Sequence, residues 1–123
     1  MTDMAFNRNE DWMKLMLSEM EQHFEKIKLG GGKKSIEKQR ERNKLTARER
    51  IDYLCDRDKP FVEIGGFAGF DMYEAEGGCP SAGTVAGIGY VSGRQAVIVA
   101  NDQTVKAGAW FPKIGRASCR ERV

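Results

Sequence analysis

Residues 84–112 read TVAGIGYVSGRQAVIVANDQTVKAGAWFP. Two β-favouring runs, Thr84 to Val91 and Gln95 to Ala100, flank Ser92-Gly93, a tight-turn signal. That pattern predicts a hairpin. The outgoing run, Ala96-Val-Ile-Val-Ala100, is apolar at every position, as in a strand covered on both faces. It therefore needs a neighbouring strand and a layer of helix, and nothing after residue 100 is long enough to supply them. The next stretch, Asn101 to Ala109, is polar first, then carries a lysine, then small residues. At the carboxyl end of a strand in an open α/β sheet, such a turn can present backbone N–H groups and a cation to a ligand. The plain alternative is an ordinary strand-to-helix turn. The candidate contact residues are Asn101, Thr104, Lys106, Ala107 and Gly108.

Upstream, Phe61-Val-Glu-Ile64 reads as a short strand, and Phe67 to Tyr73 as a further extended piece. Glu74 to Gly83, with acids, glycines and a proline, reads as a loop. Residues 4 to 29 carry Met13, Met16, Leu17, Met20, Phe24 and Ile27 at three- and four-residue steps, the period of an amphipathic helix. Asn7 or Asn9 is placed to cap its start, and Gly30-Gly31-Gly32 ends it. The methionine stripe is expected to face the core or a neighbouring subunit. An adaptable partner groove is the other reading of so many methionines. Thr46-Ala-Arg-Glu49 is a capping-box pattern opening a short helix through Ile51, Leu54 and Cys55. Asp56 to Pro60 ends that helix with charges and proline.

The chain has 123 residues and a net charge of +2, enough for one small domain and too balanced to demand a polyanion partner. Its 14 glycines fall mostly after residue 64, so a charged helical half precedes a glycine-rich β half. Cys55, Cys79 and Cys119 form no C-x-x-C pair, which argues for reduced thiols. With His23 the only histidine, a structural zinc site is not expected. The N-terminus lacks a basic-then-apolar leader pattern, and the longest apolar run, Ala96 to Ala100, is too short to cross a membrane.

No nucleophile elbow, Walker loop or metal cluster is present, and a Ser-His-Asp set would have to draw on His23 in the first helix. Glu63, Asp71, Glu74 and Glu76 are carboxylates whose pairing spacing alone does not decide. Residues 33–50 hold eight Lys or Arg against three Glu. They read as a solvated helix face or as a phosphate-binding surface. A small nucleic-acid-binding module is the alternative from another functional class. Its weakness is that the basic stretch has no aromatic residue for base stacking.

Several segments together resemble a known family. They are Lys44-Leu-Thr-Ala-Arg-Glu-Arg-Ile-Asp52, Phe61-Val-Glu-Ile-Gly65, Phe67-Ala-Gly69, Gly87-Ile-Gly-Tyr-Val-Ser-Gly93 and Ala100-Asn-Asp-Gln-Thr-Val-Lys-Ala-Gly-Ala-Trp-Phe-Pro112. In that order and spacing they resemble the carboxyltransferase β subunit of biotin-dependent acyl-CoA carboxylases, of the propionyl-CoA and methylcrotonyl-CoA type. The resemblance runs from about Leu29 to Pro112. It implies an α/β chain: the start of a crotonase-type (ClpP/crotonase) ββα superhelix, preceded by N-terminal helices.

The resemblance also implies a chemistry. The family transfers a carboxyl group from carboxybiotin, carried on a partner's carrier domain, to the α- or vinylogous γ-carbon of a coenzyme A thioester. Carboxybiotin releases CO2, the ureido nitrogen removes a proton from the acyl-CoA, and the enolate attacks CO2. Two developing negative charges then need aimed backbone N–H groups. The glycine pairs that supply those groups lie beyond the matched segment. No catalytic residue is therefore expected here, and the candidate residues named above become weak acyl-CoA contacts. The family further implies biotin carboxylase and biotin carboxyl carrier partners, a hexamer of the full-length parent, and a cytoplasmic setting, with no nucleic acid and no membrane. Some of the basic residues are expected at subunit contacts or at the CoA phosphates. A biotin-dependent acyl-CoA decarboxylase subunit is the sibling alternative.

The expected organisation is an amphipathic helix with its glycine linker over residues 1–32, then an incomplete start of the carboxyltransferase N-terminal domain over 33–113. Residues 114–123 have a different explanation. ATC GGA AGA GCG TCG TGT AGG GAA AGA GTG, a common short-read sequencing adapter, encodes Ile114 to Val123 codon for codon. They are expected to be translated adapter. Without them the net charge is zero and Cys55 and Cys79 are the natural thiols.

Overall fold

A computed structural model describes residues 3–112. The expected tail, 114–123, lies outside the described residues. Three helices come first: α1 (Asp3–Lys28), α2 (Lys33–Glu41) and α3 (Ala47–Leu54). A three-stranded sheet follows, β1 (Val62–Ile64), β2 (Thr84–Val91) and β3 (Arg94–Asn101), antiparallel in the order β1-β2-β3.

The hairpin falls where the Ser-Gly signal places it, with Val91 opposite Arg94. Ser92 and Gly93 both take positive φ, 51° and 77°, as a two-residue turn matched to strand twist requires. Asp56 reinforces it from outside. Its carboxylate accepts the Ser92 and Gly93 amides at 2.8 and 2.7 Å, and its own N–H donates to the Tyr90 carbonyl at 2.8 Å.

One sheet face is packed. Ala47 and Ile51 of α3 form a core with Val85 and Ile98, with Phe61 and Cys55 at its edge. A side chain at Gly87 would overlap the Phe61 ring, so glycine there lets the ring lie against the sheet. The capping box forms as read. The Thr46 hydroxyl accepts the Glu49 amide at 3.3 Å, and the Thr46 amide donates to the Glu49 carboxylate at 2.8 Å. Arg48 grips Glu63 of β1 with both terminal guanidinium nitrogens.

The opposite sheet face is bare. Register aligns Val62, Ile88 and Val97 in one row, and Ile64, Ala86 and Val99 in the next. Val97 and Val99 are 76% and 64% exposed. β3 is thus apolar on both faces, as its sequence reads, and one face has no cover among the described residues.

One expectation is narrowed to its subunit-facing half and two change. The methionine stripe does not reach this chain's core: Met13, Met16, Leu17 and Met20 are exposed, and only Ile27 of α1 is buried. A 26-residue helix is roughly 39 Å long, far longer than the short sheet it leaves. Its C-terminal part alone is docked, with Phe24 stacked on Phe67 and His23 edge-on to Phe70. Asn7 and Asn9 lie inside α1, which starts at Asp3. Residues 67 to 73 are not extended. Successive turns, Ala68 to Gly65, Phe70 to Phe67 and Met72 to Gly69, coil the segment instead. Gly65 and Gly69, both at left-handed φ, make that coiling possible.

Candidate functional site

The turn after β3 is held from three directions. Asn101 ends β3 opposite Thr84. The next amide, Asp102, donates to the Gly83 carbonyl at 3.0 Å. One oxygen of the Asp102 carboxylate accepts the Thr104 amide at 2.9 Å and the Thr104 hydroxyl at 2.6 Å. The same hydroxyl accepts the Gly31 amide at 3.0 Å, from the linker after α1. Thr104 and Val105 are buried. Val105 joins Cys79 and Phe111 in a second small core, capped by Tyr73, whose ring lies 4.3 Å from that of Phe111.

Beyond Val105 the backbone is strained. Lys106, Ala107 and Gly108 take left-handed φ of 46°, 53° and 82°. Ser81, Ala82 and Gly83, in the turn joined to this one through Asp102, do the same at 50°, 54° and 71°. Non-glycine residues in that region cost on the order of 1–3 kcal/mol each, and such outliers gather at ligand-binding turns. Lys106 does not reach into solvent as a free cation. Its Nζ pairs with Glu76 at 3.1 Å and sits 4.3 Å from the centre of the Phe111 ring.

The five candidate residues therefore have distinct places. Asn101 faces a cleft at the end of β3, and Thr104 is a buried hinge. Lys106 and Ala107 form the exposed strained tip, and Gly108 completes it. Asp102, which organises the turn, was not among the candidates. Its signal is a short one: an Asp two residues before a Thr can close an Asx turn.

The cleft that Asn101 faces has a volume of about 870 Å³ and lies between α3 and β3. Ile98, Ala100 and Leu54 give it an apolar wall, and Arg50 a charge. A smaller recess of about 400 Å³ is lined by Lys44, Arg50, Leu45 and Gln103. An apolar trough with two cations at one end can take a ligand with an aliphatic arm and an anionic head. Nucleophilic chemistry is poorly served nearby. Burial pushes the Cys79 thiol up, against the weaker pull of Lys106. Among the described residues no group of three or more His, Cys, Asp or Glu could hold a metal ion. No helix of the described residues is long and apolar enough to cross a membrane.

Comparison with known proteins identifies relatives over most of the chain. Residues 38–122 match the model of the carboxyl transferase domain, a span that runs on through residues 114–122. The β chain of mitochondrial methylcrotonoyl-CoA carboxylase from Arabidopsis thaliana is 43% identical over 108 residues, covering 88% of this chain and 18% of that protein. The α subunit of methylmalonyl-CoA decarboxylase from Propionigenium modestum is 41% identical over 109 residues, 85% of this chain and 20% of that one. Among solved structures, the geranyl-CoA carboxylase β subunit of P. aeruginosa superposes with a TM-score of 0.77 at 27% identity, over 94% of this chain and 21% of that one. The transcarboxylase 12S hexamer, with methylmalonyl-coenzyme A bound, superposes at 0.71 with 31% identity, over 79% of this chain and 19% of that one. The chain spans about a fifth of the length of the relatives it matches. The fold is the opening part of the carboxyltransferase crotonase-type fold. On the matched span and the strength of these likenesses, the chain belongs to the carboxyl transferase domain family.

Proposed function

We propose that this chain is the opening segment of a carboxyltransferase β subunit that moves a carboxyl group from carboxybiotin to an acyl-CoA of the propionyl or methylcrotonyl class. The observation that carries this is an apolar cleft with a cationic end, lined by Asn101 and Gln103 at the start of the strained turn, inside the family's matched span. In this reading Asn101, Thr104, Lys106, Ala107 and Gly108 line the acyl-CoA path. Arg50 and Lys44, at the recess beside Gln103, take the CoA phosphates. That selects two residues from a basic stretch whose sequence does not rank its members. Biotin enters on a partner's carrier domain. No step of the reaction is assigned to this segment.

The partners in this proposal are a biotin carboxylase, a biotin carboxyl carrier subunit and further copies of the full-length parent, assembled as a hexamer. The hexameric transcarboxylase 12S neighbour supports the assembly. A cytoplasmic setting for the parent is part of the same proposal; relatives include mitochondrial proteins. The division into 1–32, 33–113 and a translated adapter at 114–123 is part of the same proposal. The nucleotide read decides the tail, because codons after Lys113 that differ from the adapter overturn it.

The test is a carboxyltransferase assay with propionyl-CoA and methylcrotonyl-CoA. The full-length subunit carrying this segment, reconstituted with its biotin partners, is expected to carboxylate one of them. The 123-residue chain alone is expected to give no turnover. Clear activity of the short chain, or none from the full subunit on either thioester, sinks the reading. A decarboxylase role is the second reading, favoured by the methylmalonyl-CoA decarboxylase relative. Net loss of CO2 from methylmalonyl-CoA by the full subunit would select it.

A further inference from the structure

The glycine linker after α1 does more than end a helix. Gly31 lies against the turn that carries the candidate acyl-CoA contacts, from which it is separated by 73 residues of sequence. Its amide donates to the Thr104 hydroxyl at 3.0 Å, and that hydroxyl donates onward to Asp102 at 2.6 Å. Thr104 is thus tied on both sides, to the linker and to its own turn, while being almost fully buried. Packing is equally tight. A methyl group at Gly31 would overlap the Thr104 carbonyl oxygen, and one at Gly30 would meet the Asp102 carboxylate and the Thr104 hydroxyl at 2.5 Å. Gly31 itself is outside the left-handed region, so backbone conformation does not demand glycine there. Only the close approach does.

We propose that Gly31 is a positioning residue for the Asn101–Gly108 turn: the linker is a strut that fixes Thr104 and through it the strained tip at Lys106 and Ala107. The tip has to be held from outside, because three consecutive left-handed residues persist only where surrounding contacts over-determine them. Asp102 and Gly83 brace its approach, and the linker braces its hinge. α1 and the turn become one mechanical unit.

The experiment uses the whole chain and four variants, read by hydrogen exchange. Gly31→Ala drives a methyl into the turn. Thr104→Val removes the hydroxyl at nearly constant shape, and Thr104→Ser keeps it. Glu37→Ala is the control, an exposed position in the middle of α2. Exchange in peptides covering 102–109 is expected to rise about tenfold in Gly31→Ala and Thr104→Val, with β2 and β3 unchanged. Thr104→Ser and Glu37→Ala are expected to keep the wild-type pattern in those peptides. An unchanged turn in both disruptive variants, or a rise spread evenly over the chain, overturns the strut.

A second readout rests on the acyl-CoA reading above. Propionyl-CoA is titrated against the wild-type chain, Gly31→Ala and Glu37→Ala, expecting about tenfold weaker binding in Gly31→Ala alone. A wild-type chain that ignores propionyl-CoA while the exchange pattern holds removes the acyl-CoA assignment and upholds the strut. Binding unaffected by Gly31→Ala, with the turn loosened, removes its role in positioning the ligand contacts.

Discussion

Arg48 holds Glu63 through a two-pronged ion pair that joins α3 to β1, with Nη2 to Oε1 at 2.8 Å. Both side chains are largely covered, at 25% and 13% exposure. Charge-assisted bonds of this geometry contribute on the order of 1.5–3 kcal/mol when part-buried. Glu63→Ala is expected to lower the unfolding free energy by that order, read from the urea midpoint and slope, since it leaves Arg48 unpaired beside the sheet. Arg48→Lys is expected to restore less than half of the loss of Arg48→Ala, because an ammonium cannot make the fork. Equal stability of Arg48→Lys and the wild type would mean that charge alone, not geometry, holds the pair.

The bare sheet face predicts association. Rows of Val62, Ile88, Val97 and of Ile64, Ala86, Val99 form a flat apolar surface bordered by the free edge of β3. Surfaces and edges of that kind pair with other chains. Sedimentation of the purified chain is expected to show mass rising with concentration. Replacing Val97 and Val99 together by lysine is expected to return it to a monomer. A wild-type monomer at high concentration contradicts this.

The capping box gives a dependence on acidity. The Glu49 carboxyl is held below the usual range, first by the Thr46 amide and then by Arg40. A lowered pKa in the folded chain means stabilisation that is complete above the unfolded pKa and lost as pH falls through the folded one. The stability difference between the wild type and Glu49→Gln is therefore expected to be constant near neutrality and to shrink below the ordinary carboxylate range. Thr46→Ala is expected to cost about 1 kcal/mol at neutral pH. Guanidinium titrations at several pH values read both. A gap that widens in acid has the wrong sign for this linkage.

Cys55 and Cys79 are expected to react unequally. Cys79 is 2% exposed and its pKa is raised by burial, whereas Cys55 is partly open. Iodoacetamide at mildly alkaline pH should label Cys55 first, with Cys79 trailing by about tenfold or more. Peptide mass spectrometry separates them. Early labelling of Cys79 would show that the Tyr73–Phe111 cap opens readily.

Short-range patterns were the readable part of this chain. The Ser92-Gly93 turn and the Thr46–Glu49 box each depend on residues within four positions, so composition and spacing announce them. The contacts that shape the site join residues far apart. Asp56 reaches Gly93 across 37 positions, and Gly31 reaches Thr104 across 73. No local signal marks either partner. Gly31, which holds the candidate turn, carries no local signal for that reason, whereas Asp102 carries one in its two-residue spacing to Thr104. The period of α1 said that one face wants cover without saying whose. At Phe67 to Tyr73 the aromatic residues looked strand-like, and the glycines between them allowed turns instead.

The Gly31–Thr104 bond also sets an order of events in time. The β2–β3 hairpin closes over a two-residue turn, an event of roughly 1–10 μs. The linker must wait for a loop of 73 residues to close, at an entropic cost that local pairing avoids. During synthesis α1 leaves the ribosome first, and its partner in the turn follows several seconds later at about 5–20 residues per second. The strained tip therefore takes its shape late, and a chain delayed in that interval holds a finished hairpin beside an unset turn.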